Sequence, residues 1–363
     1  MINKKTTKGL LHNCIGAFNC IVAVILLFPS VGYCKDLNMD NSDYYDSEIL
    51  VITNRVSKED NQGLSFLCKV KPEASLTYLN VNVNVNENDN DNDNSLLDIN
   101  QLDSNDFLLK ISETDKNIVL FIHGDSKTFR HAIIRGLEIQ NLYNVKVIVF
   151  SWPSKDPNIN GFENLKLSIE NVEKSLEHFN LLLNFVSKIK NQEDDLKNDK
   201  KMSLFLHSLG NYYLECMVRD DMQPDKKLLI FDNIIINSAA VKQKDHYLWM
   251  EQLKCQQNIY IISNKHDFNL KGARYFAGLG RQLGEIIDLP LAANATYINF
   301  SDAVGFTIPT YLSHTFFIGK MPQKYNSIFK FYNEMLNSRH IDVYDELNFR
   351  KRRDGKGYDI LLN

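Results

Sequence analysis

The feature that most constrains this chain is a series of short apolar, β-branched runs separated by stretches with helical spacing. Asn117–Ile122, Val145–Phe150, Met202–Leu206, Leu228–Ile236, Asn258–Ile262 and Thr296–Phe300 are all of strand length. Between them, Lys127–Leu142 has a helical pattern, and another helix follows the third run to about Arg219. Leu165, Ile169, Val172, Leu176, Phe179, Leu183 and Val186 recur at steps of four and three, which predicts one long helix with a single apolar stripe. Strands that are apolar throughout, instead of alternating, are covered on both faces and belong to parallel sheets. The predicted class is therefore α/β: an open, mostly parallel central sheet with right-handed crossovers and helices on both faces. A net charge of −4 excludes the strong basic excess of a dedicated nucleic-acid binder, so no nucleic-acid partner is expected.

The flanking segments differ in character. Lys4, Lys5 and Lys8 precede the apolar run Cys14–Phe28, then Pro29, Ser30 and Val31–Cys34. This is the layout of a secretory signal, and the run is shorter than the roughly 20 residues that span a bilayer comfortably. Residues 1–34 are expected to be a cleaved signal, with an uncleaved membrane anchor or lipid attachment at Cys34 as alternatives; the location is then periplasmic or extracellular. Removing three lysines and no acid would take the net charge from −4 to −7. Residues 35–115 read as an N-terminal extension, with an Asn/Asp-rich low-complexity stretch at 80–95. That stretch invites a calcium reading, but the Gly and terminal Glu of an EF-hand are missing. Residues 116–340 read as the main α/β domain, and 341–363 as a basic tail whose Arg350–Arg353 invites a contact with acidic lipid. Cys68, Cys216 and Cys255 have no metal-ligand spacing and are expected to be unpaired, although an exported compartment would permit one disulfide. Neither a metal nor another cofactor is expected.

In such a sheet, functional residues sit on loops at the carboxyl ends of the strands. Those loops carry His123-Gly124-Asp125, His207-Ser208-Leu209-Gly210, Ser263–Asp267 and a later Ser313-His314-Thr315. Ser208 stands where a strand turns abruptly into a helix, the setting of a nucleophile elbow, with little bulk two residues on at Gly210. Leu206 departs from the first Gly of the G-x-S-x-G pattern. A serine hydroxyl needs a base and the base needs an orienting group, which designates Ser208, His314 and Asp267 as the catalytic set. Asp302 is the local rival for the acid. Ser208 as a plain helix N-cap is the bland reading.

These residues resemble a family. From about Ile49 to Leu336 the chain is similar to the α/β-hydrolase superfamily, and within it to a bacterial group with "TNR", "HG", "SWPS" and "HSxG" motifs. Here they stand as Thr53-Asn54-Arg55, His123-Gly124, Ser151-Trp152-Pro153-Ser154 and His207-Ser208-Leu209-Gly210; Asp267–Leu270 and Arg281–Gly284 resemble its acid loop and a following Arg-x-Gly element. The chain order Ser–Asp–His agrees with that of the superfamily. The resemblance implies an α/β-hydrolase fold and a serine hydrolase, an esterase with no metal, and it implies no substrate; the partner expected is a small-molecule or lipid ester. Backbone N–H groups of Leu209 and Asp125 would form the oxyanion hole. A carboxylate at Asp125 is unfavourable there unless its side chain turns out to solvent. The alternative is a catalytically inactive scaffold acting as a binding protein at the envelope. Residues 267–295 read either as a lid over the cleft or as a crossover helix.

Overall fold

The six apolar runs all form strands, and they assemble with others into a single twisted sheet. The computed structural model describes residues 46–61, 63–83, 97–159, 161–195, 200–223, 229–305, 307 and 310–362. The leader reading for residues 1–34 falls outside these residues, as does the Asn/Asp-rich stretch from 84 onward. In chain order the strands are β1 (Glu48–Thr53), β2 (Arg55–Asp60), β3 (Gly63–Val70), β4 (Thr77–Val83), β5 (Leu97–Leu102), β6 (Ile118–Ile122), β7 (Lys146–Ser151), β8 (Met202–His207), β9 (Phe231–Asn237), β10 (Gln256–Ser263), β11 (Thr296–Asn299), β12 (Phe349–Lys351) and β13 (Tyr358–Ile360).

Eleven strands lie side by side in the order β12-β13-β11-β10-β9-β8-β6-β7-β1-β4-β5. From β1 across to β13 every neighbouring pair is parallel. β4 and β12 turn antiparallel at the two flanks, and β5 pairs antiparallel with β4. β2 and β3 form a separate ribbon. β6, β7, β8 and β9 are buried along their whole lengths, as strands with helices on both faces must be. One face packs around Trp152, Phe179 and Tyr213, the other around Phe205, Phe316 and Tyr332.

The sheet reaches past the boundaries expected from sequence. β1, β4 and β5 come from the segment read as an extension, and β12–β13 from the segment read as a basic tail. The physical reason is that an open sheet edge must be paired or blunted, and these segments pair with the outer edges of β7 and β11. The tail charges are partly consumed at home: Arg350 and Arg352 each reach Asp359 at 3.1 Å, and Arg350 also lies 3.7 Å from Asp302. The predicted long helix is two, Gly161–Lys174 and Leu176–Asp195. They break at Ser175, whose hydroxyl accepts a bond from Asn54 at 2.8 Å, while Val172, Leu176, Phe179, Leu183 and Val186 keep one apolar stripe across the joint.

β6 is followed in sequence by β7 on one side, and the chain then crosses to β8 on the other. The gap between β6 and β8 is the point where strand order reverses, and in open α/β sheets that crevice receives ligands. The loops that open there are His123-Gly124 and His207-Ser208.

Candidate functional site

Ser208 directly follows β8 and starts a short 3-10 turn, Ser208–Asn211. Its φ is 54°, in the left-handed region that a non-glycine residue enters at a cost, typically near a functional site. Close packing holds it there. A Cβ on Gly124 would lie 2.6 Å from Ser208 Cβ and 3.2 Å from its Oγ; one on Gly210 would lie 2.7 Å from the carbonyl oxygens of Ile122 and His123. Both positions therefore demand glycine for close approach. Asn211 Nδ2 and the Ala240 N–H donate to the Ser208 carbonyl at 2.9 and 3.1 Å. The serine hydroxyl itself bonds to no described residue. Leu206, the departure from the glycine pattern, is a fully buried strand residue with its side chain in the core, where no close approach calls for glycine.

Asp267 and His314, 47 residues apart in sequence, meet at 2.6 Å between Oδ2 and Nδ1. Asp267 caps the helix Phe268–Ala277, its Oδ1 accepting from the Leu270 N–H at 3.1 Å. Both carboxylate oxygens are thus used, and the side chain is fully buried. With Nδ1 engaged, Nε2 is the imidazole nitrogen left to accept a proton. The His314 ring centroid lies 4.6 Å from that of His207, the neighbour of Ser208, and Ser238 Oγ donates to the His314 carbonyl at 3.2 Å. The base loop is therefore seated beside the elbow. Asp302 does not join it: its side chain is exposed and faces Lys265 at 3.5 Å.

The loop after β6 supplies the other wall. Leu209 is the second residue of the 3-10 turn, where the first N–H groups lack partners within the helix. The Asp125 N–H likewise bonds to no described residue. The Asp125 carboxylate turns away from the elbow into a cluster of donors, Ser168 Oγ at 2.5 Å, Asn164 Nδ2 at 2.9 Å and Ser126 Oγ at 3.0 Å. It is turned into protein and not to solvent, and burial raises its pKa. His123 is buried and stacked on Trp152, with rings 5° from parallel. The Trp152 N–H donates to Nε2, so Nδ1 carries the proton and donates to the Gly124 carbonyl. Burial and nearby Arg55 hold its pKa down to about 3, so it remains neutral and structural. His207 is also kept well below its ordinary value by burial and by His314; Asn237 Nδ2 donates to its Nδ1, and Tyr332 OH orients that amide.

Two residues quoted from sequence without a role turn out to organise the site. Arg55, 1% exposed, spends its guanidinium on backbone and hydroxyl oxygens: Lys127 O at 3.0 Å, Trp152 O at 2.5 Å and Ser151 Oγ at 3.2 Å. It ties the two loops that flank Asp125 together. Asn264 donates through Nδ2 to Ser313 O at 2.8 Å and accepts from the His266 N–H at 3.0 Å, gripping the residues just before His314 and Asp267. Its own N–H donates to Gly284 O, and its carbonyl accepts from the Asp267 N–H. The signal in sequence was only that each is polar beside a strand end. The 267–295 segment begins with the helix Phe268–Ala277, and its Leu283 is buried and hydrogen-bonded to Val241. Among the described residues no group of His, Cys, Asp and Glu could hold a metal, the three body cysteines are unpaired, and no helix is long and apolar enough to cross a membrane.

A family model described as an alpha/beta hydrolase of unknown function matches residues 97–309, more than half of the chain. No curated protein and no solved structure matches it.

Proposed function

The chain belongs to this α/β-hydrolase family, and on that premise we propose that it is a serine hydrolase that cleaves carboxylic esters through an acyl-enzyme. The observation that carries the reading is the 2.6 Å His314–Asp267 pair seated beside a serine held at φ 54° on the strand-to-helix turn. In this reading Ser208 Oγ attacks the ester carbonyl while His314 Nε2 takes its proton. Asp267 keeps the other imidazole proton on Nδ1 and steadies the imidazolium. The oxyanion that forms accepts from the N–H groups of Leu209 and Asp125. Collapse expels the alcohol, which takes the proton from His314, and leaves Ser208 acylated. Water activated by the same histidine then releases the acid. The leader-like first 34 residues make export part of this proposal.

Leu206, Asp125 and the Asn/Asp-rich prelude are the three features that favour an inactive scaffold, and the first two have a local account. Leu206 points into the core, and the Asp125 carboxylate faces Ser168 and Asn164. Wild-type protein should turn over short- and medium-chain p-nitrophenyl esters with a burst of p-nitrophenol, and a fluorophosphonate probe should label it. Absence of both would favour the scaffold.

Asn264 offers a second check on the arrangement. Its loss should loosen the base and acid loops relative to each other, and a misplacement of about 1 Å can cost about 10² in rate. Asn264→Ala is expected to lower kcat by about that factor with KM little changed. A folded variant with wild-type kcat would show that the loops hold their register without it.

A further inference from the structure

The helix Gly161–Lys174 buries Asn164, Ser168, Asn171 and Val172. Three of these four are polar, and steps of four and three put them on one face. An apolar face would seat the helix as well, because replacing a buried polar contact by matched apolar groups is often neutral or stabilising. What a polar face adds is direction, since each bond fixes a donor, an acceptor and an angle.

The bonds converge on the loop after β6 and the loop after β7. Asn164 Nδ2 donates to Asp125 Oδ1 at 2.9 Å and to the Ser154 carbonyl at 2.8 Å, and Asn164 Oδ1 accepts from the Asp156 N–H at 2.9 Å. Ser168 Oγ lies 2.5 Å from Asp125 Oδ1 and 2.9 Å from the Ser154 carbonyl. It has one hydrogen, and the carboxylate is both the nearer and the stronger acceptor. The Ser154 carbonyl also accepts from the Ser126 N–H at 2.9 Å, which ties the two loops to each other. Asn171 donates to the Pro153 carbonyl at 3.0 Å and forms no bond with Asp125.

This network ends beside the reacting atoms. A Cβ on Gly124 would lie 3.2 Å from Ser208 Oγ, so the Gly124–Asp125 peptide packs against the serine at one end while the helix grips the Asp125 side chain at the other. The Asp125 N–H belongs to that same peptide. A carboxylate swung toward the serine would set a negative charge beside the developing oxyanion, and like charges repel strongly where water is excluded. Burial pushes the Asp125 carboxyl up, and the Ser168 hydrogen bond is foremost among the influences that hold it down.

We propose, resting on the serine-hydrolase reading, that Asn164 and Ser168 are positioning residues for the oxyanion hole: they draw the Asp125 carboxylate off the reacting side and fix the Asp125 N–H toward the oxyanion. The polar face of the helix is thus a support for transition-state binding, and it acts on the reaction through Asp125 alone.

The experiment measures p-nitrophenyl butyrate turnover by the full-length protein, together with inhibition by hexyl trifluoromethyl ketone, whose hemiketal oxygen takes the place of the oxyanion. Ser168→Ala should lower kcat by about 10- to 100-fold with KM little changed, as misplacement of one oxyanion donor does. The ketone's inhibition constant should rise by the same factor. Ser168→Cys, alike in shape but a poor donor, should behave as alanine does and serves where alanine fails to fold. In an Asp125→Ala background, which has no carboxylate to hold, Ser168→Ala should cost nothing further. Asn171→Ala is the control for packing: it should lower the melting temperature without moving the ketone's inhibition constant. Wild-type kcat and inhibition in Ser168→Cys, or an undiminished loss in the Asp125→Ala background, overturns the positioning role and leaves the hydrolase reading standing. No turnover and no ketone binding by wild type defeats the hydrolase reading, and the positioning role with it.

Discussion

Replacing Ser208 with alanine should abolish fluorophosphonate labelling and lower kcat on p-nitrophenyl esters by about 10⁶-fold. The size of the effect follows from the covalent step, which the substitution removes together with Oγ. The variant should fold normally, because the hydroxyl bonds to no described residue and its loss orphans no buried partner. The Cβ that packs against Gly124 remains. Mass spectrometry of probe-treated wild type and variant gives the answer directly. Equal labelling of the two would remove Ser208 as the nucleophile while leaving the fold untouched.

Asp267→Asn should lower kcat by about 10⁴-fold with the architecture intact. The direction can be worked out atom by atom. The Leu270 N–H needs an acceptor at the helix start, so the amide oxygen of the new asparagine takes that role. Its NH₂ then faces His314 Nδ1, which can only accept from it. The proton moves to Nε2, and the histidine can no longer receive one from Ser208. Steady-state kinetics of the purified variant measure this, and an unchanged melting temperature separates it from unfolding. Asp302→Asn serves as the control and should leave turnover essentially unchanged, because that carboxylate is exposed and bound to Lys265. A large loss in the control with none in Asp267→Asn would reassign the acid.

How much of this was visible in the residues depends on the range of the forces involved. The six core strands were legible because burial on both faces leaves a continuous apolar run, a local property of the chain. The elbow was legible for a similar reason: a serine between strand and helix with Gly210 two positions on is a local steric pattern. β1 is itself such a run, yet its place beside β7 was not legible, since pairing at a sheet edge depends on which backbone lies opposite. Nor was the break at Ser175, which a bond from Asn54 accompanies across more than a hundred residues. The rotation of Asp125 toward Ser168 belongs to the same class.

The amino-acid order alone determined a parallel α/β sheet, its strand ends and the loops able to carry chemistry, because hydrophobic period and turn sterics act over a few neighbouring residues. Only the tertiary structure decided which polar groups meet: Asp267 with His314, Asn264 with Ser313, Arg55 with the carbonyls of Lys127 and Trp152. Buried donors and acceptors must be satisfied, and the partners that satisfy them are set by strand order in space and not by distance along the chain.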